Sequence, residues 1–269
     1  MKNLIIRSLS GAAFVAVTLG SLWLGRYGFA VFFVAVLTGS MIEFYRMPRP
    51  AVRPLFLTGI SAGILFFILS FLTASGTTEG RTGLIFFPFL LLIFIAELFR
   101  NREHAMENVA TGILGVVYIA LPLSLANYLV FNHEGHYSPD RIILLLVMIW
   151  IYDSGAYLAG VSMGKHRLFE RISPKKSWEG AIGGLLITLA ASALLAPYTG
   201  FSRPQLITVI FLVVLASTFG DLTESMLKRQ FGLKDSGRII PGHGGLLDRF
   251  DSLLFAIPVF VAYLWLLNG

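Results

Sequence analysis

QLITVIFLVVLASTFGDLTESM, residues 205–226, reads as a membrane-crossing helix that carries acid near its end. At 1.5 Å of rise per residue, such a run spans a hydrocarbon core of about 30 Å. Burying an ionised side chain there costs several kcal/mol unless it is paired or bound, so Asp221 and Glu224 require an explanation. Asp221, Glu224, Ser225 and, just past the run, Lys228 fall at i, i+3, i+4 and i+7 and share one helical face. An ion pair between Glu224 and Lys228 that closes the helix end accounts for two of them. Asp221, one turn deeper, still needs a partner.

The rest of the chain is as apolar as this run. Of 269 residues, 56% are hydrophobic and 13% charged, with mean hydropathy +0.77; soluble domains carry about 25% charged residues. Hydrophobic runs recur at roughly 4–24, 27–46, 53–73, 83–99, 108–131, 140–161, 178–197, 205–226 and 251–267. The expected fold class is all-α, a polytopic integral membrane protein with about nine transmembrane helices and no soluble domain. Residues 1–135 form an N-terminal multi-span region and 136–269 a C-terminal region holding the polar loops. Lys2 and Arg7 before the first run resemble the start of a signal peptide, but the run is long and lacks a small-x-small cleavage site; a retained helix is expected.

Nine crossings sort the basic residues. Arg26, Arg81, Arg141 and Arg203 fall on one side, and the other 17 of the 21 Lys and Arg on the opposite side. The positive-inside rule then makes the N-terminus and the basic loops cytoplasmic and the C-terminus external. The basic pI follows from this topology and not from nucleic-acid binding; anionic headgroups or a phosphorylated substrate are the expected counter-charges. The absence of cysteine excludes disulfides and thiolate metal sites.

Polar chemistry concentrates in two loops on the basic side, SMGKHRLFERISPKKS (162–177) and residues 228–250. His133 and His136 have an H-x-x-H spacing, but their short loop offers no further ligands. Asp153, deep in the sixth run with Tyr157 one turn on, fits an interhelical hydrogen bond or a ligand role equally. Gly59/Gly63, Gly160/Gly164 and Gly180/Gly184, each four apart, fit close helix packing, within the chain or in a homodimer. Gly164-Lys165 lacks the phosphate-loop spacing.

The segment KDSGRIIPGHGGLLDRFD (234–251) cannot continue a helix through Pro241-Gly242-His243-Gly244-Gly245. Its glycines permit positive φ and close backbone approach to an anion. Asp248 and Asp251, three apart at the start of the last run, fit N-terminal capping, which explains one aspartate better than two. Taken with Asp221 and Glu224, these carboxylates could converge on a hard cation such as Mg²⁺, which takes one or two carboxylates plus substrate phosphates. Lys176, Lys228, Arg229, Lys234, Arg238 and Arg249 would neutralise a polyphosphate. The inventory suits phosphoryl transfer or pyrophosphate release at a membrane surface. A transporter with buried carboxylates is the rival, although the polar groups cluster toward one face.

The 27 residues from Ser225 to Asp251, S-x-L-K-R, four residues, K-D-x-G-x-x-I-P-G-H-G-G-x-L-D-R-F-D, resemble without a gap the signature of the CDP-diacylglycerol synthases, also called phosphatidate cytidylyltransferases. Asp153-Ser-Gly-Ala-Tyr157 and Ser173-Pro-Lys-Lys176-Ser-Trp-Glu-Gly180 resemble further family segments. The resemblance implies transfer of the cytidylyl group from CTP to phosphatidic acid in the bilayer, dependent on Mg²⁺ with a second cation as an option, in the inner (plasma) membrane. It further implies Asp221 and Asp248 as metal ligands with Asp251 and Glu224 beside them. Ser225, Lys228, Arg229, Lys176, His243 and the Gly244-Gly245 backbone would hold phosphates. Lys234, Asp235, Arg249, Ser173, Asp153 and Tyr157 would line the substrate route. A CTP-dependent lipid kinase shares the substrate and metal and differs in the phosphorus attacked.

Overall fold

Long apolar runs with no water to bond their amides must close their hydrogen bonds internally, and each becomes helical. The computed structural model describes residues 2–48, 51–237, 239 and 244–268; Arg49, Arg238, Ile240, Pro241, Gly242 and His243 of the residues discussed above lie outside them. Helices α1 (Lys2–Trp23), α2 (Gly25–Arg46) and α3 (Phe56–Ala74) come first, followed by a 3-10 turn (Gly80–Ile85) that leads into α4 (Phe86–Arg100). The next span is α5 (Ala105–Gly115), a π turn (Val116–Ala120), α6 (Leu121–Leu125) and α7 (Asn127–Val130). Pro122, which has no N–H to donate, sits just past the π turn. Helices α8 (Asp140–Met163), α9 (Trp178–Thr199), α10 (Arg203–Gln230) and α11 (Leu247–Asn268) complete the chain. All nine predicted runs are helical. Among the described residues, seven helical stretches are long and apolar enough to cross a membrane, with Leu9–Trp23 and Trp178–Leu194 shorter. The protein is an all-α polytopic membrane protein.

One element was not expected. Within the polar loop 162–177, β1 (Arg167–Phe169) pairs antiparallel with β2 (Ser173–Ser177), Arg167 opposite Ser177 and Phe169 opposite Ser173. The sequence shows no alternation there, but pairing satisfies backbone groups between two membrane helices. Pro174 is tolerated because a two-stranded ribbon has only edges.

The chain divides into two compact units, Met1–Pro139 with Phe231–Phe250, and Asp140–Gln230 with Asp251–Gly269. In the first, α3 packs against α2, α4 and α6, around buried Phe29, Phe33, Phe67, Ile119 and Leu123. Phe29 and Phe33 stack at 4.5 Å between centroids. The signature residue Phe250 is buried in this unit, edge-on to Phe14 at 5.6 Å. His133 and His136 are exposed, and His136 lies 3.2 Å from Glu134.

In the second unit, α8 and α9 pack closely because glycines face each other. A Cβ added to Gly184 would lie 2.8 Å from the Tyr152 carbonyl oxygen, and one on Gly180 2.8 Å from that of Ala156. These glycines therefore serve packing within the chain. Gly184→Val should destabilise the detergent-solubilised protein by about 1–3 kcal/mol through overpacking, measured as the shift in its chemical unfolding midpoint.

Candidate active site

In the second unit, one helix contact brings carboxylates together. A Cβ on Gly220 would stand 2.7 Å from the Asp251 carbonyl oxygen and 3.1 Å from the Ser252 Cα, so α10 and α11 approach at backbone distance. This sets Asp221, the next residue on α10, in Coulombic reach of Asp251 on α11. From β2, Lys176 Nζ reaches the Asp221 carboxylate at 2.7 Å, with both side chains about one-third exposed. Ser225 Oγ donates to the other Asp221 oxygen at 3.3 Å. Asp251 is half-buried, and its carboxylate accepts the Ser252 N–H at 2.6 Å. A 2.6 Å hydrogen bond between Tyr152 and Thr218 ties α8 to α10. The adjacent Asp153, exposed on α8, also lies within Coulombic reach of Asp251. Tyr157, one turn on, is largely exposed. Ser173 opens β2, half-buried, and Arg229 is exposed in the last turn of α10.

Glu224 has a different fate. It pairs with Lys228 one turn on, both side chains buried. The internal ion pair offered by the helical spacing is therefore present, whereas the partner Asp221 lacked in sequence is Lys176. Among the described residues no three His, Asp or Glu side chains group to hold a metal ion. Asp221 and Asp251 are carboxylates in Coulombic reach of each other, with Lys176 paired to Asp221.

In the first unit, the signature segment folds around a carboxylate that sequence reasoning passed over. Glu43 on α2 is buried, and its oxygens accept the Ser236 hydroxyl at 2.9 Å, the Leu246 N–H at 3.0 Å and the Leu247 N–H at 2.9 Å. Asp248, in the first turn of α11, accepts the Ser236 N–H at 3.0 and 3.1 Å and the Gly245 N–H at 2.7 Å. Gly244 has φ +90°, favourable only for glycine, and a Cβ there would approach Asp248 at 2.7 Å. A Cβ on Gly245 would stand 2.5 Å from a Glu43 oxygen, and one on Gly237 would strike the other. Lys234, Asp235 and Arg249 are exposed. Asp248 thus meets the backbone amides of Ser236 and Gly245, which lie before α11 and not in its first turn, so it ties the preceding loop to the start of the helix. Glu43 lies inside the apolar run 27–46; the test applied to Asp221, an acid within a span, would have found it.

Glu179, which the resemblance covered without assigning a role, closes the turn between α8 and β1. It accepts the His166 Nδ1–H at 2.6 Å and the Lys165 and His166 backbone N–H at 3.2 Å. With Trp178, Ile182, Arg167 and Glu170 these residues line an open hollow of 760 Å³.

Removing one partner of a buried ion pair strands the other's charge. Lys228→Met should therefore destabilise the protein by about 3–5 kcal/mol in chemical unfolding, and adding Glu224→Gln should recover most of that loss.

A family profile described as the cytidylyltransferase family matches residues 5–267. The chain is 33% identical over 267 residues to a phosphatidate cytidylyltransferase of Bacillus subtilis (strain 168), covering 96% of each chain. It is 34% identical over 247 residues to the phosphatidate cytidylyltransferase of Staphylococcus saprophyticus, covering 89% of each. With the phosphatidate cytidylyltransferase of Staphylococcus aureus (strain COL) it shares 40% identity over 178 residues, 65% of this chain and 66% of the relative. The match is end to end and includes both units. The chain belongs to the cytidylyltransferase family.

Proposed function

We propose that this membrane enzyme transfers the cytidylyl group from CTP to phosphatidic acid, forming CDP-diacylglycerol and pyrophosphate for phospholipid synthesis. The observation that carries the reading is the Lys176–Asp221 pair beside Asp251, on a chain whose relatives are named phosphatidate cytidylyltransferases. A phosphate oxygen of the lipid attacks the α-phosphorus of CTP. The bond from that phosphorus to the bridging oxygen breaks, and pyrophosphate leaves with the electron pair. The nucleophile is already anionic, so no strong base is needed; positioning and charge neutralisation carry the catalysis.

Asp221 and Asp251 fit a bound Mg²⁺. They are two like charges in mutual reach, with Lys176 paired to Asp221, and this ion takes one or two carboxylates when phosphates complete its shell. The ion, when bound, supplies positive charge to the departing pyrophosphate. Lys176 holds the Asp221 carboxylate in place and remains exposed enough to meet a phosphate. Ser225 orients the second Asp221 oxygen. Asp153 and Tyr157 belong to the lipid-facing side of the route, and Arg229 supplies exposed positive charge for CTP. Asp248 and Glu224 take part through the segments they order. The charge partition supports a cytoplasmic N-terminus and basic loops, where CTP is available, in the plasma membrane of a bacterial cell. The glycines that suggested a homodimer pack within one chain, Gly160, Gly180 and Gly184 between α8 and α9 and Gly59 and Gly63 of α3 against Tyr45 and Ala120, and the reading requires no second copy.

Incubating purified protein with phosphatidic acid and CTP labelled at the α- or the γ-phosphorus tests the reaction. Label should enter lipid only from the α position. Label from γ would make it a lipid kinase, and no metal-dependent transfer would refute both enzyme readings. Asp221→Asn should lower kcat by about 100-fold or more while the protein still folds. A chelator should stop turnover until Mg²⁺ is restored; full activity in the chelator would remove the metal from the reading.

A further inference from the structure

Glu43 is an acid buried inside an apolar helix, and its oxygens accept the Ser236 hydroxyl and the Leu246 and Leu247 N–H. Its hydrogen bonds go to a segment about 200 residues away in sequence, and each has a distinct consequence. The Leu246 and Leu247 amides open α11, where leucines cannot cap their own helix; Glu43 performs that task from α2. The Ser236 hydroxyl donates to Glu43 while the Ser236 N–H donates to both oxygens of Asp248. One residue therefore links the two carboxylates. Gly237 and Gly245 leave the space that the Glu43 side chain occupies, which assigns two signature glycines to this contact.

We infer that Glu43 is a positioning residue for the reaction, fixing Ser236, Gly245 and the first turn of α11 so that the Asp248 carboxylate and its neighbours are held in one orientation. Resting on the cytidylyltransferase reading, this adds an N-terminal residue outside the signature to the machinery that the signature forms. The charge and the double acceptor geometry both matter. A glutamine would turn an amide N–H toward one of the donors and lose that bond.

Two variants, Glu43→Gln and Ser236→Ala, with their double mutant, provide the test. Ser236→Ala cuts only the link between the carboxylates and should lower kcat about 10-fold, with KM for CTP within about two-fold. Glu43→Gln should lower kcat about 10- to 100-fold, and the double mutant should be no worse than Glu43→Gln alone. Amide hydrogen exchange read over residues 234–250 should accelerate about 10-fold in Glu43→Gln, with the helices elsewhere unchanged. A kcat within two-fold of the unaltered protein in Ser236→Ala, losses that multiply in the double mutant, or unchanged exchange over 234–250 would each overturn the inference. If Glu43→Gln does not fold, Ser236→Ala decides by its kcat and its exchange. If the unaltered protein transfers no label from CTP, the functional reading falls, and the exchange result alone decides whether Glu43 anchors the segment.

Discussion

An amide that leaves a helix inside or beside a bilayer has no bulk water to bond, and an unmet group costs several kcal/mol. Several interruptions of this chain are closed by acidic or hydroxyl side chains, some from the adjoining turn and some from distant segments. Glu43 takes the first amides of α11, and Asp248 takes those of Ser236 and Gly245. Glu179 takes Lys165 and His166 where α8 gives way to the hairpin, and Ser177 caps α9 through the Gly180 N–H at 3.1 Å. The polar residues that make the chain conspicuous are first of all the means by which its helices stop.

That constraint separates acids that end helices from an acid available for chemistry. On α10, Glu224 is buried against Lys228 of the same helix, a pair complete within one turn. Asp221 draws its lysine from β2 and stays one-third exposed. The first pair is sealed at a helix end; in the second, both side chains remain about one-third exposed. The hairpin, absent from the sequence expectation, delivers Lys176 to that position.

Most of the membrane architecture was legible because hydrophobic length is a local property: nine runs became helices, and the Glu224–Lys228 spacing became an ion pair. The signature marked segments but did not say which of their side chains meet which partners. Asp221 looked unpaired because its lysine lies 45 residues away in sequence, in a loop with no strand periodicity. Gly245 looked like a phosphate-facing backbone, and its space is taken by Glu43. Glu43 is an acid in an apolar run of the kind that singled out Asp221, but its partners Ser236, Leu246 and Leu247 lie about 200 residues away in sequence, where no local pattern points to them.

By itself, the sequence determined the class, the spans and the chemistry available, since composition, run length and helical spacing act through neighbours on one chain segment. Beyond the local Glu224–Lys228 pair, the lysine that meets Asp221, the amides that meet Glu43, and the glycines that yield space to a side chain were decided only by tertiary structure. Those pairings depend on where distant backbones come within about 3 Å of one another, a distance that helix packing sets and that no local pattern encodes.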